Sequence, residues 1–320
     1  MQMPSFAVAL IAVGMTALGT RAAYGQNYPV KPIRIVTSGV GGGPDVVARI
    51  MLPGLTETLG QQVFVDNRSS GVIPGQIVSQ SPPDGYTLLH YANPLWIAPF
   101  LQKTPYDPVK DFVPVTFATR SPNILVAHPS LPVKSVKDLI ALAKARPGEL
   151  TFSAGGAGGA SHLSGELFKA MAGVKIVIVP YKSGAQETAD LIGGHVPLTF
   201  GSAGQVAPQI KAGKLRSMAV TSAQRSTLFP DYPTMAESGL PGFEYINVTG
   251  TFAPARTPMA IVTRLSQEAA KALNRVDARE RLAAIGIEAV GSTSEEFAVA
   301  IKSDMLKLGK VIKDADIKAE

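Results

Sequence analysis

Short apolar runs alternate along this chain with segments whose apolar residues recur at helical spacing. The run 33–36 is typical of a strand, and it is followed by a glycine-rich stretch and an amphipathic helix that ends at Gly60. Pro44 suits the first turn of that helix, where an amide hydrogen is not needed. The same strand, loop and helix return at 150–172. Two such units favour two lobes that each present one loop.

The remaining pattern repeats strands and helices with short turns. Ser135 with Asp138, and Thr293 with Glu296, have the spacing of capping boxes and predict two helix starts. Further strands are predicted at 63–66, 87–91, 123–127, 175–179, 198–200 and 217–220, and further helices at 185–192 and 258–274. This rhythm predicts an α/β fold with mainly parallel sheets and flanking helices.

The segment 1–25 is typical of a signal peptide. Its apolar stretch 7–18 is too short to span a bilayer, and Ala23 and Gly25 are the small residues expected before a cut at Gln26. The usual basic residues are missing at the start, which a mis-assigned start codon or a weak signal would explain. A disordered N-terminus or a buried helix is the alternative. A signal peptide predicts export to the periplasm.

Composition narrows the class of protein. Hydrophobic residues make up 46% of the 320 residues and charged residues 17%, which fits a folded globular protein and excludes a disordered one. The net charge is +6, but Lys and Arg are scattered, so a solvated surface is favoured over a nucleic-acid patch. Cysteine is absent, which excludes disulfides, thiolate catalysis, cysteine metal sites and a lipoprotein anchor.

The two glycine-rich loops have the features of an anion site. A tight turn into a helix exposes backbone N–H groups, and the helix dipole adds partial positive charge there. Such a site holds a carboxylate without Arg or Lys. The alternative is that the glycines only make tight turns. Two loops of one type at strand ends, where open α/β sheets bind ligands, favour a binding site.

Known catalytic motifs do not fit these loops. A dinucleotide fingerprint needs a third glycine where Pro44 and Ser161 stand, and a P-loop needs one at Pro208. The nucleophile elbow fails because Leu163 replaces its last glycine. The four histidines have no metal-binding spacing, and neither a metal nor a cofactor is expected.

A series of short stretches gives the chain a more specific signature through its order and spacing. They are Tyr28-Pro29-Val30-Lys31-Pro32-Ile33, Gly41-Gly42-Gly43-Pro44-Asp45, Pro83-Asp84-Gly85-Tyr86-Thr87-Leu88-Leu89, Pro105-Tyr106-Asp107-Pro108, Asp111-Phe112-Val113-Pro114-Val115, Ser161-His162-Leu163 with Glu166, Pro180-Tyr181-Lys182, Gly213-Lys214-Leu215-Arg216, Pro233-Thr234-Met235-Ala236-Glu237 and Ala253-Pro254. In these the chain resembles the Bug (Bordetella uptake gene) family, the extracytoplasmic receptors of tripartite tricarboxylate transporters. The resemblance covers nearly the whole mature chain.

This resemblance implies a two-lobed "Venus flytrap" of the type II periplasmic binding protein kind, without enzymatic activity. We expect lobe 1 over 26–122 and 250–320, and lobe 2 over 123–249, with the crossings between them as the hinge. Family members bind small organic acids for delivery to membrane permease subunits. The family's ligand is held between two loops and by ordered waters, and the matching positions here are 37–43 and 153–162. A monomer is expected.

The first loop departs from the family pattern. Thr37-Ser38-Gly39-Val40 replaces the usual Pro-Phe-Pro-Ala, so a hydroxyl stands where the family has an aromatic wall. Pro44 replaces a threonine, and the family's tryptophan before Gly250 is also replaced, with Val248 two residues earlier. These changes predict an atypical cleft mouth, with the first loop setting specificity and the second holding a ligand carboxylate through Ser161.

The predicted ligand-binding residues come from both loops and two nearby strand ends. They are Ser38, Gly39, Val40, Gly41, Gly42, Ser153, Gly155, Gly156, Gly158, Ser161, His162, Tyr181, Lys182 and Ser202. Two other functions stay open. The same fold could present its ligand to a membrane kinase as a sensor subunit, or Ser161 with His162 and Glu166 could act as a hydrolase.

Overall fold

The computed structural model describes residues 28–68, 71–155, 159–181, 184–314 and 317, so the predicted signal peptide lies outside the described residues. Its strands are β1 Ile33–Thr37, β2 Val63–Asn67, β3 Thr87–Ala92, β4 Phe112–Ala127, β5 Thr151–Ala154, β6 Val177–Pro180, β7 Leu198–Ser202, β8 Arg216–Val220, β9 Ile246–Pro254 and β10 Glu288–Ala289. Its helices are α1 Gly43–Leu59, α2 Ile73–Ser79, α3 Pro94–Leu101, α4 Val136–Ala145, α5 Ala160–Ala172, α6 Gly184–Ile192, α7 Ala203–Lys211, α8 Met259–Asn274, α9 Val276–Ala284 and α10 Ser294–Asp314.

The strands form a sheet in the order β2-β1-β3-β9-β4-β7-β5-β6, and β8 and β10 also pair with β4. Strand β4 takes part in both halves of this sheet. Its residues 112–122 pair with β9 in the first half, whereas residues 123–127 pair with β7 and β8 in the second. The two halves are the sheets of two lobes, and β4 runs without a break from one to the other.

Parallel and antiparallel pairs occupy different parts of the sheet. The outer pairs are parallel, β1 with β2 and β3, and β5 with β6 and β7. Strands β4 and β9 pair antiparallel with each other and with their neighbours. The two-lobed α/β architecture is confirmed. The parallel βαβ units predicted from the sequence lie toward the outside, and antiparallel strands join them.

Helix ends follow the capping signals in the sequence. The Ser135 hydroxyl accepts a hydrogen bond from the Asp138 N–H at 3.1 Å, and the Thr293 hydroxyl accepts one from the Glu296 N–H at 3.2 Å. Gly60 ends α1 with a left-handed φ of 65°. These local signals set where each helix begins and ends, and therefore which residues stand at the strand ends beside them.

Close packing positions the two helices that follow the glycine-rich loops. A Cβ at Gly165 of α5 would overlap the Phe152 ring of β5, and one at Gly54 of α1 would lie 2.8 Å from the Ala272 Cβ of α8. Each helix therefore sits close to its neighbour because a glycine faces it. No helix in the described ranges combines the length and the apolar character that crossing a bilayer requires.

Candidate functional site

A cleft of about 570 Å³ lies between the two halves of the sheet. The N-terminal ends of four helices line it: Gly43 and Pro44 of α1, Pro94 of α3, Ala160 and Ser161 of α5, and Ala203 and Gly204 of α7. Its floor is formed by polar residues of β4 and β9, namely Thr119, Ser121, Asn123, Asn247 and Thr249. The cleft therefore combines helix ends from both lobes with the strands that join them.

The charge of this cleft comes from the backbone. Its lining within the described part of the chain contains no Lys, Arg, His, Asp or Glu side chain. A helix N-terminus carries roughly half a positive charge and stabilises a nearby anion by about 0.3–2 kcal/mol, depending on burial. Four such ends around one volume make a site that favours a small anion without an ion pair.

The first glycine-rich loop is a turn closed by hydrogen bonds to α1. The Gly42 N–H donates to the Gly39 carbonyl at 3.0 Å, and Gly41 adopts a left-handed φ of 79°. The Gly41 N–H donates to the Asp45 carboxylate at 2.9 Å. This amide is therefore occupied within the protein, although Gly41 lines the cleft together with Gly43 at the start of α1.

Asp45 is the centre of the contacts that hold this loop. Its buried carboxylate accepts hydrogen bonds from Asn67 Nδ2 at 2.7 Å and from Arg49 Nε at 2.9 Å. Asn67 Nδ2 also donates to the Ser38 carbonyl at 2.8 Å. Burial raises the pKa of the Asp45 carboxyl, but the hydrogen bonds from Asn67, Gly41 and Arg49 outweigh it and hold that pKa below its usual value. The loop is thus pinned by an ionised carboxylate.

The second loop is closed by a hydroxyl. Ser161 Oγ, in the first turn of α5, accepts a hydrogen bond from the Gly155 N–H at 2.9 Å. Beneath it, the buried Glu187 carboxylate accepts hydrogen bonds from Ser153 Oγ at 2.9 Å and Thr199 Oγ1 at 3.1 Å. Ser153 therefore supports the end of β5 and lies away from the cleft lining.

The predicted site residues divide into three groups. Gly41, Gly155, Ser161 and Ser202 line the cleft. Another set lies outside its lining: Ser38, Gly39, Val40, Gly42, Ser153, His162 and Tyr181. Gly156, Gly158 and Lys182 lie outside the described residues.

Three members of the second group have environments that explain their position. Val40 is 81% exposed, whereas Ser38 is buried and its Oγ has no hydrogen-bond partner among the described residues. The Tyr181 hydroxyl donates to Asp190 at 2.8 Å, and burial together with this bond raises its pKa to about 12. Tyr181 is thereby tied to α6 rather than directed at the cleft.

Sequence reasoning missed the side-chain amides of the cleft. Asn123 and Asn247 meet on its floor, where Asn247 Nδ2 donates to Asn123 Oδ1 at 2.7 Å. Asn123 Nδ2 donates in turn to Ser164 Oγ of α5 at 3.1 Å. At the N-terminus of α3, Asn93 Oδ1 accepts the Val248 N–H at 2.6 Å. For Asn123 and Asn247 the available signal was their place on β4 and β9, the strands that cross between lobes, and those strands were not predicted in full.

The cleft offers no metal site from the described side chains, since no group of three His, Cys, Asp or Glu residues is gathered there or elsewhere in the described ranges. Its donors are amides, hydroxyls and helix ends. This donor set suits an organic anion with oxygen acceptors.

Known proteins share this architecture and sequence. Residues 47–317 match the family model of the tripartite tricarboxylate transporter family receptor, TctC. BugT of Bordetella pertussis is 35% identical over 318 residues, which cover 97% of this chain and 98% of BugT. The structure of Rhodopseudomonas palustris Rpa4515 with adipate aligns with a TM-score of 0.83 at 37% identity, covering 91% of this chain and 99% of that one.

A second solved structure, of MatC from Rhodopseudomonas palustris with bound malate, aligns with a TM-score of 0.80 at 27% identity and covers 89% of this chain and all of that one. The family model and BugT each span most of the chain, and the solved structures share its two lobes. The chain belongs to the Bug family of tripartite tricarboxylate transporter receptors.

Proposed function

We propose that this protein captures a small organic carboxylate in the cleft between its lobes and delivers it to the permease subunits of a tripartite transporter. The observation that carries the proposal is the convergence of four helix N-termini on a cleft whose described lining has no charged side chain. Such a cleft binds an anion and can release it to a permease without breaking an ion pair.

The size of the cleft supports a small ligand. Its volume of about 570 Å³ lies in the range of small-molecule sites. Adipate and malate, which the two similar Rhodopseudomonas proteins hold, are acids of this scale. In our proposal the ligand's carboxylates lie against Gly43 of α1, Ser161 of α5 and the Ser202 end of α7.

The lobes and their hinge are assigned by the same proposal. Lobe 1 takes residues 26–122 and 250–320, and lobe 2 takes 123–249. The change in β4 pairing between Pro122 and Asn123 supports the boundary at 122/123. Residues 246–249 pair with 119–122 in the first half of the sheet, which favours a second crossing at the start of β9 rather than at 249/250. The lobes then close by bending at β4 and at the entry to β9, which brings the two glycine-rich loops onto the ligand.

The proposal includes where and how the protein works. It acts as a monomeric periplasmic receptor, exported by the signal peptide at 1–25, and it has no catalytic activity. Ser161 Oγ is engaged in closing the second loop by its bond to the Gly155 N–H, a structural role that favours binding over hydrolysis.

The test is a thermal-shift series on the mature protein with adipate, malate and other small mono-, di- and tricarboxylates. A ligand present at a hundred times its Kd stabilises the fold by about 2.7 kcal/mol, a clear rise in melting temperature. Adipamide, which has the shape of adipate without its charge, is the control and should give no shift. A protein that responds to no carboxylate, or equally to adipamide, contradicts the proposal.

A sensor subunit that presents the same ligand to a membrane kinase remains a second candidate, since the fold serves both. Co-purification from membranes separates them. Permease subunits retained by the ligand-loaded receptor support transport, and a retained kinase supports sensing.

A further inference from the structure

A short strap, residues 285–288, crosses beside the cleft between α9 and β10. The Gly286 N–H donates to the Ala283 carbonyl at 2.9 Å, and the Ile287 N–H donates to the Leu282 carbonyl at 2.9 Å. With a φ of 72° at Gly286, these bonds form a Schellman motif that fixes how the chain leaves the helix. The path of the strap is therefore set by α9.

The strap touches the opposite lobe at the N-terminus of α7. A Cβ added to Gly286 would overlap the Ala203 Cβ and lie 2.9 Å from Phe229 Cζ. A Cβ added to Gly204 would lie 3.4 Å from the Ile285 carbonyl oxygen. The lobes approach this closely because the strap has no side chain at the point of contact.

An ion pair ties the far end of the strap to the strand that joins the lobes. Glu288 accepts hydrogen bonds from Arg120 Nε at 2.9 Å and Arg120 Nη2 at 2.8 Å, and the two residues are partners in the β10–β4 register. Both side chains are partly exposed, so the pair orients the strap more than it stabilises the fold. The strap is thus held at both ends while its middle spans the lobes.

The two faces of the strap differ. Ile285 and Ile287 line the ligand cleft, whereas Gly286 and Glu288 line a second cavity of about 360 Å³ behind it. The strap presents its apolar face to the cleft, where it adds to the apolar side chains of Val46, Val47 and Phe200 and faces the amides and hydroxyls of β4 and β9. Ile285 also lies next to the α7 end, where a carboxylate would bind.

We infer that the strap selects the ligand: Ile285 and Ile287 bind the hydrocarbon next to a carboxylate held at α7, and Gly286 permits the lobe contact that encloses it. This inference rests on the proposed function, because it needs a carboxylate in the cleft. It adds a substrate class, acids whose carboxylate adjoins an unsubstituted hydrocarbon chain, in preference to acids hydroxylated at that position. It also assigns specificity to a segment outside both glycine-rich loops.

The first test changes the lobe contact. Gly286→Ala is compared with Gly213→Ala, where φ is 69° and an added Cβ meets nothing within 4 Å. Both variants carry similar backbone strain, so their difference reports the contacts of the added Cβ with Ala203 and Phe229. For Gly286→Ala we expect at least about tenfold weaker adipate binding by calorimetry and no contraction on adding adipate by small-angle scattering. Gly213→Ala should bind and contract like the wild type. Adding Ala203→Gly to Gly286→Ala should restore most of both, because only the outer edge of the Phe229 ring still meets the added Cβ.

The second test changes the apolar face and does not depend on Gly286→Ala folding. Ile287→Ala should weaken adipate binding about tenfold and tartrate binding much less, because adipate has a methylene beside each carboxylate where tartrate has a hydroxyl. Val299→Ala, on a 68% exposed side chain of α10 outside the cleft lining, is the control and should change neither.

Two different failures are distinguishable. A wild-type protein that binds no carboxylate overturns the proposed function itself. A wild type that binds adipate, with Gly286→Ala closing normally or Ile287→Ala losing adipate and tartrate equally, overturns the role of the strap alone.

Discussion

The first glycine-rich loop is closed by a carboxylate and the second by a hydroxyl. Asp45 Oδ2 accepts the Gly41 N–H at 2.9 Å, and Ser161 Oγ accepts the Gly155 N–H at 2.9 Å. Both acceptors stand in the first turn of the helix that follows. The acceptor lies four residues after the donor in the first loop and six in the second, and only the first is charged, so each loop presents a different potential to a ligand.

The negative charge of Asp45 weakens anion binding at the first loop. A carboxylate in the first turn of α1 already interacts with the helix dipole that would attract a ligand carboxylate. The neutral hydroxyl of Ser161 leaves the dipole of α5 available. We therefore expect the first loop to act as a rigid frame that shapes the cleft, and the second to contribute more of the binding energy.

The largest effect should come from removing the carboxylate. Asp45→Ala removes the buried acceptor of the Gly41 N–H and of Asn67 Nδ2. It also removes the ion-pair partner of Arg49. Losing a buried, charged hydrogen-bond centre should lower the free energy of unfolding by about 3 kcal/mol, measured by urea denaturation.

Asp277→Ala is the matched control, because Asp277 is also an acid in a first helical turn that pairs with an arginine, but it is exposed. It should change stability by less than about 0.5 kcal/mol. Asp45→Asn should lie between the two, since an amide can still accept the Gly41 N–H. Equal losses for Asp45→Ala and Asp277→Ala would show that the frame does not depend on Asp45.

The first loop differs from the second also in the residue beneath it, because the imidazole of His90 is fully buried there. Thr37, the residue that leads into the loop, donates its hydroxyl to the His90 carbonyl at 2.8 Å. Burial lowers the pKa of His90 to about 4, from an ordinary value of 6.5. The folded state therefore binds fewer protons than the unfolded state between these pH values, and stability falls as pH decreases below about 6.5.

Lowering the pH from 7 to 5 should cost about 2 kcal/mol through this one residue, from the linkage of the two pKa values. Other acids titrate as well, so the measurement is the difference in pH dependence between the wild type and His90→Gln. Gln224→Ala, on an exposed side chain that does not titrate, is the control and should keep the wild-type slope. A His90→Gln slope identical to the wild type would contradict a neutral, buried His90.

Local sequence signals were enough to place the loops and most helix ends. Gly60, Gly173 and Ser135 act where the pattern put them, because each satisfies its own helix end without help from distant residues. The two strand–loop–helix units could be found for the same reason. Because this unit occurs twice in the sequence, the two loops could also be predicted to face one cleft.

The joining strands could not be predicted in full from local signals. Residues 112–122 contain Pro114 and Pro122, which argue against a central strand, and the pairing of β4 with β9 has a register shift between Pro114 and Thr116. Strand β9 is buried over most of its length, so it lacks the alternation of a half-exposed strand. Asn123, Asn247 and the strap reach the cleft through these long-range pairings, which no nearby residue encodes.

A smaller effect is expected at the second loop. Ser161→Ala removes one neutral hydrogen bond to the Gly155 N–H, which should cost about 1 kcal/mol of stability. Because this loop faces the ligand, we expect adipate affinity to fall more than stability does, by about tenfold in calorimetry. Ser303→Ala, on the exposed face of α10, should leave both unchanged. An affinity loss larger for Asp45→Asn than for Ser161→Ala would reverse the assignment of frame and binding loop.

The smallest change in stability is expected at the N-terminus of α7, which also lines the cleft. Ser202 precedes α7, and its exposed side chain makes no capping hydrogen bond. Ser202→Ala should therefore alter the free energy of unfolding by less than about 0.5 kcal/mol. Its hydroxyl lines the cleft beside the strap, so adipate binding should still weaken, by about threefold. Because the hydroxyl has no structural task, any loss of affinity measured by calorimetry reports contact with the ligand, and an unchanged affinity would place the ligand's carboxylates at α1 and α5 alone.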